Sequence, residues 1–516
     1  MVNQAVLRQR QAMQRAVHQT FSFTIPSPVG GLNLRDSLDM MDPRDALILD
    51  NWLPGTASVQ VRPGSTSHAT GVGSGAVEFL ASLRLATGAK LIAAGGGSLY
   101  DASTSGSAAT SIASGYTSNR WQHANFKGRL FACNGADAPW DYNGTTKTNT
   151  AWSGLTIANL VQCWVFKTRL YFAEINSANF WYSGAGAVTG ALTLFDLSQI
   201  ATQGGYLMAG GSWSRDGGAG LEDLMVLVMS SGEIIIYSGI NPGSDFVKVG
   251  SYQASPPIGR RCLTRIGGDL VVLTKSGLLP ISLIMQGWDV DKILAQTSYG
   301  KVAPGIRDNA TIYGGVWGWQ AGDVTANGRL YVNVPQNTTP DQFIQYVLNT
   351  YTGAWGRAKG LTSYVWAEHD GDLYYGGAGG VVYKHAGLSD AGTAITGDLK
   401  TAFVAGSSRP IWKHYTQALP LLLTEGSISN LKIGIDTDFR EQSVSQALNP
   451  TSLTTENSTP WGSPWGSPWG TKLKPTRAWV SINGRGRHMA FRLRSVSSSQ
   501  TLSLAAIDVA GIGGGL

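Results

Sequence analysis

A chain of 516 residues with 66 glycines, 17 tryptophans and 18 tyrosines, of which only 14% are charged, can bury substantial cores and is too aromatic to be a disordered polymer. Its 39 basic and 33 acidic residues leave a net charge of +6, mild for this length, so only local clusters could argue for nucleic-acid contact. The three cysteines, Cys133, Cys163 and Cys262, are far apart and lack CxxC spacing, which argues against a disulfide framework and a structural zinc site. Cys133 and Cys163 lie in or beside apolar runs and read as buried thiols.

The N-terminus has no apolar signal-peptide core, and no run of 18 apolar residues occurs anywhere. A product of the cytoplasm with no signal peptide and no membrane span is expected. Residues 2–19 contain neither Gly nor Pro and carry Arg8, Arg10 and Arg15, which predicts a basic helical arm over 1–20. It is either a solvated arm or a tether to a neighbouring subunit or anionic surface. Residues 21–75 read as irregular, punctuated by prolines. Within them Asp42 to Asp50 is expected to be a short helix, with Asp42 as cap and Pro43 in its first turn, and Val59–Arg62 a strand.

From residue 76 to 399 a refrain recurs: a tight turn entering an apolar strand, as in Gly128-Arg129-Leu130-Phe131, Gly268-Asp269-Leu270-Val271 and Gly371-Asp372-Leu373-Tyr374. Its leucines stand at 91, 130, 170, 224, 270, 330 and 373, separated by 39, 40, 54, 46, 60 and 43 residues. Later in a unit an aromatic precedes a Gly turn, as in Trp140-Asp141-Tyr142-Asn143-Gly144 and Ile236-Tyr237-Ser238-Gly239. A strand-and-turn repeat of about 40–50 residues predicts an all-β fold, a β-propeller of six to eight four-stranded blades. The wider spacings imply insertions. Residues 400–516 change character and read as a second, β-sandwich-like unit. It carries a long loop, 443–471, with a triple PWG repeat at Trp461, Trp465 and Trp469.

Reactive motifs are weak. Ser214-Arg215-Asp216-Gly217-Gly218 begins like a sialidase Asp-box but occurs once, with Leu221 where an aromatic is expected, and reads as a chance turn. Asp289-Val290-Asp291 and Asp436-Thr437-Asp438 lack the rest of a calcium loop and read as solvated turns. No phosphate loop, GxSxG or HExxH is present in a suitable context, and the glycine runs 95–97 and 513–515 are not followed by helices. The strongest electrostatic feature is late. Between Thr471 and Ile507 there is no acidic residue, while Lys472, Lys474, Arg477, Arg485, Arg487, Arg492 and Arg494 add seven positive charges. Arg492 and Arg494 alternate with Phe491 and Leu493 and so share one strand face, a candidate contact for DNA phosphates or for an acidic subunit surface. The PWG tryptophans are a candidate interface loop, with sugar stacking or peptide binding as the alternative.

One stretch is more specific. Gly30-Gly31-Leu32-Asn33-Leu34-Arg35, then Pro43 to Pro54 with Ala46, Leu49 and Asn51, then Val59 to Gly64 with Arg62, has the form GGLN-x-R, P-x-x-A-x-x-L-x-N-x-x-P, V-x-x-R-x-G. This resembles the N-terminal signature of short-tailed bacteriophage tail proteins and is similar to the tail nozzle (tail hub, or tail tubular) family of podoviruses. The signature covers about 35 residues, and the blade-like region and C-terminal β unit extend the likeness loosely over the chain. The resemblance implies a β-propeller with a platform-like β domain. It implies a virion protein whose six copies ring the distal end of a short tail, below a dodecameric adaptor. That ring would close the channel around packaged double-stranded DNA, anchor fibres or spikes, and open for ejection. The resemblance brings no catalytic residue and no cofactor with it, and the signature itself reads as scaffold, without a reactive group. Candidate gate loops are the insertions near 185–221 and 286–327 and the PWG loop. The alternatives are an adaptor or tail-completion protein of the same tail, or a glycan-binding propeller or glycosidase, which would need converging carboxylates near the propeller axis.

Overall fold

The computed structural model describes residues 19–216, 221–339, 341–406, 409–424, 431–441, 446–448, 474–476 and 479–513. The predicted basic arm lies outside them up to residue 18, and its last two residues, Gln19 and Thr20, already belong to a strand, Gln19–Pro26. The chain forms two compact units. One comprises Met1–Arg62, Ala354–Arg357 and Gly392–Leu516; the other comprises Pro63–Gly353 and Ala358–Ala391. These bounds differ from the expected 76–399 and 400–516 because strand partners are chosen in space. Thr66–Thr70, read as irregular, pairs with Val382–Lys384, while Ile395–Thr401 pairs with Met489–Ser497.

The second unit is a seven-bladed β-propeller. Blade 1 is built from Phe79–Leu85, Gly88–Gly95, Ser98–Asp101 and Thr110–Ser114, blade 2 from Gln122–Phe126, Arg129–Cys133, Trp140–Tyr142 and Lys147–Asn149. Blade 3 is Leu160–Phe166, Arg169–Glu174, Phe180–Tyr182 and Thr193–Phe195; blade 4 is Leu207–Asp216, Leu221–Met229, Glu233–Ser238 and Val247–Gln253. Blade 5 is Leu263–Ile266, Asp269–Thr274 and Gly277–Pro280, and blade 6 begins with Gln320–Val324, Arg329–Pro335 and Phe343–Asn349. Blade 7 takes Val365–His369, Asp372–Gly376 and Val382–Lys384 from the end of the unit and Thr66–Thr70 from its start, so the ring is closed by hydrogen bonds between its two ends.

Each refrain leucine sits in the second strand of its own blade, and each is at least 93% buried, Leu373 being the most exposed at 7%. The refrain therefore counts blades: seven leucines, seven blades. The reason is geometric. A second strand is covered on both faces by neighbouring blades, so it reads as a continuous apolar run with no polar alternation. Leu91 and Ala93 point into the core shared with blade 7, while Ile92 and Ala94 point into the core shared with blade 2. The turn before each second strand is tight. At Lys127-Gly128, φ is +49° and +68°, the type I′ pattern that matches the twist of paired strands.

Two histidines are buried in blade 7. His68 lies 3.1 Å from the Ala102 carbonyl and edge-on to Tyr374, and His369 lies 2.9 Å from Ser82 Oγ. Burial holds both below the ordinary histidine value, each with smaller contributions from neighbouring groups. The native state thus binds fewer protons than the unfolded chain just below pH ~6.5, so stability is lost as pH falls through that window. The urea midpoint of the propeller is expected to drop between pH 7.5 and pH 5. The double variant His68→Gln, His369→Gln should reduce that dependence without abolishing it, because His123 in blade 2 is also held low. An unchanged slope in the variant would remove these two residues from the account.

Blades 5 and 6 are joined by helices, not by the loop expected near 286–327. These are Ile281–Met285, Val290–Gln296 and Ala303–Tyr313. Asp289 caps the second by accepting from the Lys292 amide at 2.7 Å, and a proline occupies the first turn of the third. The helix signals were in the sequence, but the strand rhythm on either side masked them.

The other unit is sandwich-like. One sheet runs Trp52–Pro54, Val59–Val61, Leu502–Gly513, Lys413–Thr424, Lys474–Thr476, with Gln19–Pro26 and Val480–Gly486 as further partners. The second contains Gly31–Leu32, Asp45–Asp50, Ile395–Thr401, Met489–Ser497, Leu431–Thr437 and Gln446–Leu448. Fully buried Trp52 of the first sheet packs against Gly397 of the second, where an added Cβ would stand 2.5 Å from the indole nitrogen. Segment 21–75 is therefore less irregular than expected, with short strands at Gly31–Leu32, Asp45–Asp50, Trp52–Pro54, Val59–Val61 and Thr66–Thr70 and the end of Gln19–Pro26. The helix expected at Asp42–Asp50 is a strand from Asp45. Asp42 does accept a local hydrogen bond, from the Arg44 amide at 2.8 Å, but this forms a turn before the strand and no helix follows. Pairing with Ile395–Thr401 and Gly31–Leu32, remote in sequence, overrides the cap-and-proline signal. Of the loop expected over 443–471, Gln446–Leu448 is strand, paired with Leu431–Ile433.

Candidate functional site at the propeller axis

The signature residues make a hydrogen-bonded corner in the sandwich-like unit. Gly31, at φ +86°, lies beside the Trp355 backbone. Asn33 donates to Asp45 Oδ2 at 2.7 Å and Asp36 Oδ2 at 2.8 Å, and its Oδ1 accepts from the amides of Arg35 and Asp36. Arg35 pairs with Asp36 at 2.7 Å. Exposed Pro43 precedes the strand that buries Ala46 and Leu49, and buried Pro54 opposes Val59. Asn51, at φ +60°, donates to the Thr396 carbonyl at 2.8 Å and accepts from Arg62 Nε at 2.8 Å. Beside it Arg357 meets Asp50 at 2.5 Å. Gly64 belongs to the propeller, where its amide donates to Gly387. These are packing and turn roles.

The late basic stretch is only partly a free face. Lys472, Arg477 and the PWG tryptophans Trp461, Trp465 and Trp469 lie outside the described residues. Lys474 falls in the strand Lys474–Thr476. Arg485 and Arg487 are exposed, and Arg487 stands 5.8 Å over Trp412. Arg492 and Arg494 do share a face, and both converge on Asp398 of the adjacent strand. Arg492 binds it with two nitrogens at 3.1 and 3.0 Å, Arg494 with one at 2.9 Å. Arg494 is 46% exposed and Arg492 only 11%. Hence Arg494→Ala is expected to cost under about 1 kcal/mol and Arg492→Ala about 1–3 kcal/mol in chemical denaturation. The reverse order would mean that the exposed arginine anchors Asp398.

The aspartates weighed as metal or box residues have local partners. Asp289 is a helix cap, Asp436 is buried against Lys400 at 2.6 Å, and Asp438 accepts from the Arg487 and His488 amides. Asp436 is therefore no solvated turn. Ser214 donates across its hairpin to Asp223 at 2.6 Å; Gly217 and Gly218 lie outside the described residues.

The concave site that sequence reading did not find is the propeller axis. The innermost strands of all seven blades line a cavity of about 940 Å³. Five cationic side chains reach it, Arg84, Lys127, Arg260, Arg261 and Arg265, against two carboxylates, Asp323 and Glu368. His123 faces it too, packed edge-on against Phe79 and pushed down to about 4 by desolvation, so it is neutral at pH 7. Where the inner strands end, Arg84 approaches Glu368 at 3.6 Å, and Arg265 donates to Ser212. Asp323 is raised above the usual carboxylate value, chiefly by desolvation and secondarily by Glu368.

Where the inner strands begin, the two charged lining residues are both cationic, Arg260 and Arg261. Arg260 donates to the Leu207 and Met208 carbonyls at 3.1 and 3.0 Å. Arg261 donates to Gln320 Oε1 at 3.1 Å and to the Tyr364 carbonyl. Over Arg261 lies the Trp317 ring, 4.2 Å from its guanidinium carbon, with the Arg120 guanidinium 5.0 Å from the same ring. Arg120 in turn meets Glu78 at 3.0 Å. Glu78, Arg120, Arg261 and Trp317 immediately precede or flank the inner strands of blades 1, 2, 5 and 6. No local motif could have announced them, because only closure of the ring brings four distant segments to one end.

The architecture defines a seven-bladed propeller joined to a sandwich-like β unit. No family model matches the chain, and no curated protein matches it significantly. Among solved structures it is similar to YCF48 from Cyanidioschyzon merolae, at 11% identity over 64% of this chain and 99% of the other, with a TM-score of 0.34. It is also similar to the computationally designed Ika8 protein, at 11% identity over 62% and 99%, TM-score 0.37. A third is an exo-beta-1,3-galactanase from Phanerochaete chrysosporium with galactose, at 8% identity over 75% and 95%, TM-score 0.24. The blade count rests on this chain's own strand pairings.

Proposed function

We propose that this chain is a structural protein of a short bacteriophage tail, forming the ring-shaped distal nozzle that closes the DNA channel and opens for ejection. One correspondence carries the reading. The signature at residues 30–64 implies a propeller joined to a platform-like β unit, and the chain folds as two such units, with the signature's asparagine, arginine and glycines in positions that packing demands. The proposed partners are further copies of itself in a hexamer, an adaptor above, fibres or spikes, and double-stranded DNA. A heterologous interface repeated around an axis closes such a ring with one contact type. The test is the mass in solution by light scattering, with negative-stain images of the same sample and immunodetection in purified tails. A ring of about six times 54.7 kDa with an axial hole, present in tails, is expected. A monomer absent from tails overturns the proposal.

A second reading, a propeller glycosidase, has one observation in its favour: Asp323 and Glu368 both line the axial cavity and interact. Release of reducing sugar by the purified protein, lost in Asp323→Asn, would replace the first reading with this one.

A further inference from the structure

We propose that the axial cavity of the propeller is a binding site for a small polyvalent oxyanion, held by Arg260 and Arg261 and entered past Arg84 and Arg265. The first ground is charge. The cavity has three more cationic than anionic side chains, and the excess is concentrated where the inner strands begin. There, Arg260 and Arg261 are adjacent in sequence, and the partners found for both are neutral oxygens: main-chain carbonyls and the Gln320 amide. The nearby carboxylate, Glu78, is already engaged by Arg120. Both guanidinium groups are half-buried at the cavity wall, and a partly desolvated charge without a counter-charge beside it carries an electrostatic cost. Desolvation lowers Arg260 and pulls Arg261 down to about 9, which still leaves Arg261 charged at neutral pH. An anion supplied from outside would balance them.

The second ground is shape. A volume of about 940 Å³ exceeds what one ion needs and suits a ligand with several charged groups. The Trp317 ring stacked on Arg261 holds the guanidinium plane in place, so less side-chain freedom is lost on binding. The third ground is access. Arg84 is 70% exposed, and Arg265, three blades away around the ring, is exposed at the same end of the cavity, a cationic approach that raises the local concentration of anions. Asp323 and Glu368 at that same end select against a bulky polyanion lying across the opening and favour one short enough to pass them.

The experiment is calorimetric titration of the full-length protein with pyrophosphate and, separately, with citrate, in 150 mM sodium chloride at pH 7.5. Sodium acetate serves as the monovalent control. One saturable site per chain is expected for at least one polyvalent probe, at least tenfold tighter than acetate. Preference for pyrophosphate assigns a phosphate ligand, and preference for citrate a carboxylate ligand. Arg261→Gln should weaken binding at least tenfold. Because that residue is packed against Trp317, a second variant guards against misfolding: exposed Arg84→Gln should weaken binding several-fold with an unchanged melting curve. Arg494→Gln, in the other unit, should change nothing. Absence of saturable binding by both probes, or binding indifferent to both Arg261→Gln and Arg84→Gln, overturns the proposal.

Discussion

Gly31→Ala is expected to prevent stable folding of the sandwich-like unit, a loss of more than about 3 kcal/mol. The residue has φ +86°, a region that costs an L-residue about 1–2 kcal/mol by itself. The larger part is steric. An added Cβ would lie 2.4 Å from the Trp355 nitrogen and 2.5 Å from its carbonyl oxygen. Those are backbone atoms of a strand whose Trp355 is fully buried, so no rotamer change can relieve the overlap. Gly128→Ala is the control. It has φ +68° but open space around it, so strain alone should apply, about 1–2 kcal/mol. Urea unfolding and soluble yield of both variants measure the difference. Equal losses would mean that the Trp355 strand yields, and that Gly31 is there for conformation alone.

Ala69→Pro is expected to open the propeller. Ala69 is buried in the strand that lies between Val382–Lys384 on one side and Ser107–Ala108 on the other, so a proline loses a ladder bond whichever way its amide points. The local cost is about 3 kcal/mol or more. The larger consequence is topological, because this strand alone in its blade comes from the start of the unit. Limited proteolysis should then cut within 63–72 and 385–391 at enzyme concentrations that leave the parent intact. Thr66→Ala, at an exposed position of the same strand, should stay within about 0.5 kcal/mol of the parent. Parent-like resistance in Ala69→Pro would show that inter-blade packing holds the ring without its closing ladder.

What was legible in the sequence follows from where contacts lie. The second strands were readable because both their faces are buried, so Leu130, Leu170 and the others recur whatever the loops between them do. The closing strand was not, since Thr66-Ser67-His68-Ala69-Thr70 is half exposed and its identity as a strand comes from Val382–Lys384, more than 300 residues away. Asp45–Asp50 failed for the same reason: a local cap-and-proline cue was outweighed by partners at 31–32 and 395–401. Arg492 and Arg494 were correctly given one face, but Asp398, which ties them down, is 94 residues from the first of them. The axial cluster was invisible for a stronger reason. Arg120, Arg260, Arg261 and Trp317 have no spacing in common, and ring closure is their sole relation.

The meeting of the propeller's two ends has a consequence for how such a chain can change. Ser65 bridges to Asp390, and the Gly64 and Ser65 amides bond to Gly387 and Ser389, so the way in and the way out of the propeller are neighbouring threads. A segment whose ends already touch can be lifted out, exchanged or resized by whole blades without lengthening the connection that remains. The propeller is thus a cassette with one strap left behind: residues 63–353 and 358–391 could diverge in blade number and surface while Ala354–Arg357, which belongs to the other unit, and the path of the flanking strands stayed as they are.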